Sequence, residues 1–255
     1  RIGDETMVNA VANSVRKTFG MIRGKSSFVT SDEGSDIDLD GWINRKVRKD
    51  ETEIFVGEKN ALGLNVALLI DLSGSMEDIS DSGKPCYVNS REICLTLARS
   101  IKGLPNIDLE IYGYSGNNMA GEEVSKLAAP VVKLSEERLR TLRPTDEWGE
   151  NWTHIAVQYV TNILKRKEGK KLLIILTDGF QEVENLTAYN VKQARAKGIK
   201  VFTVLVNGKA KDSIPTIRKL YGSESEWKII PNFEEAERWM VEFFIRRIAE
   251  VMMVS

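Results

Sequence analysis

The sequence predicts an α/β fold, a doubly wound and mostly parallel sheet flanked by helices, and three observations predict it. First, "NVALLID", "KKLLIILTDG" and "IKVFTVLVNG" are strand-length apolar runs that are continuous rather than alternating. That pattern marks strands covered on both faces, as in parallel sheets. Second, segments with helical periodicity separate these runs, so strand and helix alternate from residue 64 to the end, the rhythm of βαβ crossovers. Third, two of the runs end in an aspartate, Asp71 and Asp178. Sheets of this class place ligands outside the carboxyl ends of their strands, near the topological switch point.

The elements follow in order. Met7, Val8, Val11, Val15, Phe19 and Ile22 recur at helical spacing and predict an amphipathic helix over 4–23. A short strand, a turn at Gly34 and a short helix over 38–47 come next, then two strands joined near 59–63. The second strand spans 64–71. Pro85 opens a helix that runs to about 102, with Gly103 as its stop. A strand at 106–114 and a short helix at "EERLRTL" precede the longer helix "THIAVQYVTNILKRK", with Ile155, Tyr159, Ile163 and Leu164 expected inward. After the second buried strand, "ENLTAYNVKQARAKG" is a helix stopped by Gly198, followed by the third buried strand. Helices at "DSIPTIRKLYG" and "NFEEAERWMVEFFIRRIAEVMMV", with a short strand at "EWKIIP" between them, complete the chain. Residues 1–60 read as an N-terminal helical and β-hairpin extension packed on a domain at 61–255.

Composition bounds the function. A chain of 255 residues buries a full core without staples. Lys plus Arg total 36 against 37 Asp plus Glu, so no general field attracts nucleic acid or an anionic membrane. No run reaches the ~18 apolar residues of a membrane span, and the start carries no signal-peptide pattern. The expected setting is therefore cytoplasmic. The chain opens at Arg1 rather than Met, and is expected to be a piece of a longer protein. Cys86 and Cys94 fall on one predicted helix, ~12 Å apart at ~1.5 Å per residue, beyond the ~7 Å that a disulfide tolerates. Free, buried thiols are expected.

The chemistry concentrates in "DLSGSM", where Asp71, Ser73 and Ser75 sit at alternate positions on the loop leaving a central strand. Gly74 is expected to give the tight turn between the serines. Asp178 arrives from another strand end, and Thr153 opens a helix in "GENWTHIAV". Carboxylates and hydroxyls are hard oxygen donors, suited to Mg²⁺, Mn²⁺ or Ca²⁺ rather than zinc. These three motifs, in this order, resemble the metal-ion-dependent adhesion site of von Willebrand factor A domains. Over residues 62 to 252 the resemblance implies that fold, with hydroxyls from Ser73, Ser75 and Thr153 and carboxylates from Asp71 and Asp178 around Mg²⁺. It also implies an interaction module rather than an enzyme, with a partner's Asp or Glu completing the metal shell.

"EGSDIDLDGWINRKV" followed by "EIFVGEKN" is similar to the segment ahead of the A domain in the CobT subunit of cobaltochelatase and in the nitric oxide reductase activation protein NorD. That likeness implies an adaptor or substrate recruiter for a MoxR-type AAA+ ATPase. Two alternatives stand beside it: an extracellular adhesion module of the same fold, and a metal-dependent hydrolase or phosphatase. For the latter, His154 is the only histidine, but the G-x-S-x-G elbow is missing. "GMIRGKSS" has three residues between its glycines where a phosphate-binding loop has four, and it follows a helix, so no nucleotide site is expected. Trp148 and Trp152 flank the Thr153 loop and suit either a partner anchor or core packing. Glu77, Asp78 and Asp81 read as a solvated loop.

Overall fold

The computed structural model describes residues 13, 29–31, 36–37, 55–57, 63–81, 83–101, 107–115, 131–144, 152–179 and 183–230. Among them the strands form two sheets. The smaller is antiparallel, in the order β1–β3–β2, from Val29–Ser31 (β1), Asp36–Ile37 (β2) and Phe55–Gly57 (β3). β1 and β3 fall in segments where short strands are expected, and β1 and β2 each pair with β3 rather than with each other. Of the helix expected at 4–23 only Asn13 is described, and it is helical; the helix expected at 38–47 lies outside the described residues.

The larger sheet has the order β6–β5–β4–β7–β8–β9. Its strands are Leu64–Asp71 (β4), Ile107–Tyr114 (β5), Val131–Lys133 (β6), Lys170–Thr177 (β7), Ile199–Leu205 (β8) and Trp227–Ile229 (β9). β4, β5, β7, β8 and β9 pair in parallel, and β6 alone pairs antiparallel, with β5. β6 falls in a tract where no strand is predicted; three residues at a sheet edge are too few to show a period. The chain moves outward from β4 to β5 and β6, then returns to lay β7 on the other side of β4. The switch point therefore lies between the carboxyl ends of β4 and β7.

Every residue of β4 is buried, because helices cover both faces. Leu64, Val66, Leu68 and Ile70 face one layer, with Ile93, Cys94 and Leu97 of α1 (Cys86–Ile101) and Leu139 of α2 (Glu136–Thr141). Ala67 and Leu69 face the other, with Val157 and Val160 of α3 (Thr153–Lys165), Val191 of α4 (Glu184–Ala196) and Ile217 of α5 (Ile214–Tyr221). Cys86 and Cys94 both lie buried in α1 as free thiols.

The inner face of α3 differs from expectation. Ala156, Val157, Val160 and Leu164 are buried, whereas Tyr159 is 42% exposed. Tyr159 sits at the sheet margin, its ring edge-on to Tyr112 with centroids 6.4 Å apart. The small Ala156 and the β-branched valines allow α3 to approach the sheet more closely than a tyrosine would.

Candidate metal centre

Asp71 is the last residue of β4 and is fully buried (0% exposed). It is the strand end that the sequence predicts, and the parallel ladder carries it to register with Tyr114 on β5. Its carboxylate is held on both oxygens. The Ser73 amide donates to Oδ1 at 3.0 Å, and the Thr177 hydroxyl donates to Oδ2 at 2.8 Å. Thr177 ends β7, so this second bond ties the two central strands together at their carboxyl ends.

Ser73 precedes a single 3-10 turn, Gly74–Glu77, closed by Met76 N on the Ser73 carbonyl at 3.0 Å. The Met76 side chain is fully buried and anchors the turn from below. That turn brings Ser73 Oγ and Ser75 Oγ to 3.1 Å. Gly74 plays a smaller part than expected: it is not among the glycines with positive φ, and an added Cβ would meet nothing within 4 Å.

Thr153 is the first residue of α3 and is fully buried; Trp152 stands at the N-cap. The Thr153 hydroxyl lies 2.8 Å from the Tyr114 hydroxyl. Tyr114 is itself fully buried, and its phenol is raised well above its ordinary range by burial first and then by the charge of Asp71. Tyr114 thus connects the helix-borne hydroxyl to the strand-borne carboxylate. Asp178 follows β7 directly and is buried. Its backbone neighbour Gly179 takes φ +94°, where a Cβ would sit 3.1 Å from Leu205, so the turn after the aspartate needs glycine. The charge of Asp178 acts on Cys86 at the start of α1 and on Tyr221 at the end of α5, and Asp71 acts on Tyr221 as well.

Four of the residues singled out in the sequence, Asp71, Ser73, Ser75 and Thr153, are thus joined near the switch point by hydrogen bonds, and buried Asp178 lies one residue beyond Thr177. Asp71 bonds Ser73, Ser73 bonds Ser75, Asp71 and Thr153 share Tyr114, and Asp178 follows the threonine that bonds Asp71. Two carboxylates and three hydroxyls make a hard-oxygen donor set, which fits Mg²⁺, Mn²⁺ or Ca²⁺. Thr177, Tyr114 and Tyr221 escaped the sequence reading. For Thr177 and Tyr114 a signal existed, since each ends a predicted strand beside Asp71. Tyr221 carried none, because it comes into place only through the packing of α5.

Around this set, Glu77, Asp78 and Asp81 are exposed, and Asp78 lies 3.8 Å from Lys209. Trp152 is half-buried, and Trp148 lies outside the described residues. His154 is half-buried at the start of α3, and its carbonyl accepts a bond from Asn190 Nδ2 at 2.8 Å.

Comparison with known proteins agrees with this architecture. Residues 65–238 match the family described as the von Willebrand factor type A domain. No curated protein matches the chain in sequence. Among solved structures, the pilus adhesin SpaC from Lactobacillus rhamnosus GG superposes with a TM-score of 0.57 at 15% identity, covering 76% of this chain and 31% of its own. BatB from Bacteroides thetaiotaomicron gives a TM-score of 0.54 at 15% identity, covering 74% of this chain and 100% of its own. Proximal thread matrix protein 1 from the mussel byssus, with a zinc-occupied MIDAS motif, gives 0.53 at 12% identity, covering 74% of this chain and 46% of its own. The chain thus spans less than half the length of two of these three. At such identities the likeness is one of fold.

Proposed function

Because the chain belongs to the von Willebrand factor type A domain family, we propose that Asp71, Ser73, Ser75, Thr153 and Asp178 hold a divalent cation, Mg²⁺ in the first instance, as the docking point for an acidic side chain of a protein partner. The observation that carries this reading is the contact set at the switch point, where Asp71 meets the Ser73 amide and the Thr177 hydroxyl, Ser73 meets Ser75, and Tyr114 meets Thr153, with buried Asp178 one residue beyond Thr177. The metal-occupied motif in the byssus protein supports the choice of a divalent ion. A bound cation would supply a Lewis-acid position for one further anionic oxygen.

This chain's own residues do the rest. Asp71 and Asp178 balance the charge of a divalent ion and leave no surplus. Thr177 and the Ser73 amide orient Asp71, and Tyr114 orients Thr153. These roles are ones of orientation, and on that ground we read the domain as an interaction module rather than an enzyme. The wider role we propose is adaptor or substrate recruiter for a MoxR-type AAA+ ATPase in the cytoplasm, supported by the CobT- and NorD-like segment ahead of β4. The second reading, an extracellular adhesion module, is favoured by the adhesin among the structural neighbours. Among the described residues no helix is long and apolar enough to cross a membrane, and both readings accommodate that.

The test uses Asp71→Asn and Asp178→Asn, which keep the shape of hydrogen-bonded side chains that alanine would delete. Wild type should gain melting temperature with Mg²⁺; a ligand at 100 times its Kd adds about 2.7 kcal/mol. Both variants should lose that gain, and both should lose capture of a MoxR-type ATPase, as should EDTA treatment of the wild type. Capture that persists in EDTA would place the interface elsewhere.

A further inference from the structure

Four large apolar side chains are exposed among the described residues: Ile79 at 58%, Tyr159 at 42%, Leu186 at 48% and Tyr189 at 58%. Scattered singly, such residues need no explanation. Three of these four instead belong to segments that leave the carboxyl ends of β4 and β7. Ile79 lies four residues after Ser75, on the loop that follows the 3-10 turn. Leu186 and Tyr189 lie in the first two turns of α4, which begins six residues after Asp178.

A bond between two helices places the α4 pair. Asn190 Nδ2 donates to the His154 carbonyl at 2.8 Å, so the middle of α4 stands level with the first turn of α3, where Thr153 is. α4 runs from the carboxyl ends of the strands toward their amino ends, because it leads from the end of β7 into the start of the parallel strand β8. Leu186 precedes Asn190 by four residues, and residues at that spacing share a helix face. It therefore stands one turn, about 5.4 Å, above Asn190 on the side that meets α3. Tyr189, three residues from Leu186, adjoins it on the outer surface. The core face of the same helix is Thr187, Val191 and Ala194. α4 thus raises an apolar pair beside Thr153, and Ile79 marks the opposite margin, past the serines.

The rim itself is acidic. Glu77, Asp78 and Asp81 are exposed, and Lys209 comes 3.8 Å from Asp78. A run of acids approaching the cation would meet like charge. One acid among apolar neighbours would not, and those neighbours would leave water on reaching Leu186 and Tyr189.

We propose that the partner segment is a single acid flanked by large apolar side chains: its carboxylate meets the cation, and a Leu, Ile, Phe or Trp within four residues of it packs on Leu186 and Tyr189. This inference rests on the metal reading above and names the chemistry of the partner.

The experiment pans a library of displayed twelve-residue peptides on the whole chain in Mg²⁺ and elutes with EDTA. An eluted peptide is then synthesised and its affinity measured by fluorescence anisotropy for wild type and for Leu186→Ser with Tyr189→Ser. Mn²⁺ affinity of both proteins is followed by electron paramagnetic resonance. The expected peptides carry one Asp or Glu with a large apolar residue within four positions. The double variant should bind them at least about tenfold more weakly, the cost of leaving one such side chain in water, with Mn²⁺ affinity unchanged. Eluted peptides with acids but no apolar enrichment overturn the proposal, as does peptide affinity that survives the double substitution. A parallel loss of Mn²⁺ affinity also overturns it, since α4 would then act by shaping the metal site. A wild-type chain that binds Mn²⁺ but yields no EDTA-eluted peptide overturns this inference and leaves the cation site standing. A wild-type chain that binds no Mn²⁺ overturns the metal reading, and this inference with it.

Discussion

Replacing Thr177 by valine tests the bond that ties the two central strands at the site. Valine keeps the volume and the β-branching, so strand and core packing are preserved. What disappears is the hydroxyl that donates to Asp71 Oδ2 at 2.8 Å and accepts from Gly179 N at 3.2 Å. Gly179 is only half-buried, so water can replace its bond, and the loss falls on the fully buried carboxylate. Hydrogen bonds to charged groups contribute about 1.5–3 kcal/mol, and we expect about 2 kcal/mol here. For a domain of this size each kcal/mol moves the melting temperature by about 2–4 °C, so the drop should be about 4–8 °C. Scanning calorimetry in EDTA reads it directly, and Thr177→Ser should restore most of the loss. A Thr177→Val protein that melts within about 1 °C of wild type would refute the assignment of Asp71 as a carboxylate held by its neighbours.

Other outcomes are accessible to simple measurements. Burial, with the charges of Asp178 and Asp78, pushes the Cys86 thiol up to about 12, and burial alone raises Cys94; both should react slowly with a thiol reagent at pH 8 in the folded chain and fully after unfolding, because the thiolate is the nucleophile. Two fast equivalents in the folded chain would instead mean that α1 opens locally. Burial raises the Glu110 carboxyl, but Lys133 and Lys167 outweigh it and bring it from 4.5 down to about 2. Its stabilisation is complete above about pH 4.5 and lost as pH falls toward 2. Lys167 Nζ lies 2.6 Å from Glu110 and 2.5 Å from Asp108, so Lys167→Met should raise the midpoint of acid unfolding followed by circular dichroism; an unmoved midpoint would show the pair to be idle. The chain should not bind ATP, and micromolar binding by calorimetry would revive "GMIRGKSS" as a phosphate loop.

The fold was legible where burial is extreme. β4, β7 and β8 announce themselves as unbroken apolar runs because both faces of each are covered, and α4 ends beside Gly198, as its sequence suggests. β6 was not legible, since an edge strand of three residues has neither length nor period. Tyr159 was misplaced for a related reason: helical periodicity gives a face but not how close the helix approaches, and Ala156 decided that. At the site the five proposed donors were legible as candidates because each is a small oxygen-bearing residue at or just beyond a strand end or helix start. The residues that hold them were not. Whether a threonine or tyrosine bonds a carboxylate depends on the register between strands distant in sequence, and Tyr221 depends on a helix that begins more than 140 residues after Asp71.

The register of β4 on β7 sets Ile70 against Leu176 and leaves Asp71 and Thr177 as the next pair. Asp71 is thereby mounted at the end of a central strand and Asp178 one residue beyond the end of its neighbour, so the placement of both follows the pairing of β4 with β7. Ser75 and Thr153 have different mountings, one on a single 3-10 turn and the other on the first residue of a helix. The centre is thus half anvil and half jaw. If a partner docks on this site as proposed, the parts nearest to it that can shift without breaking the β4–β7 ladder are the turn after β4 and the first turn of α3.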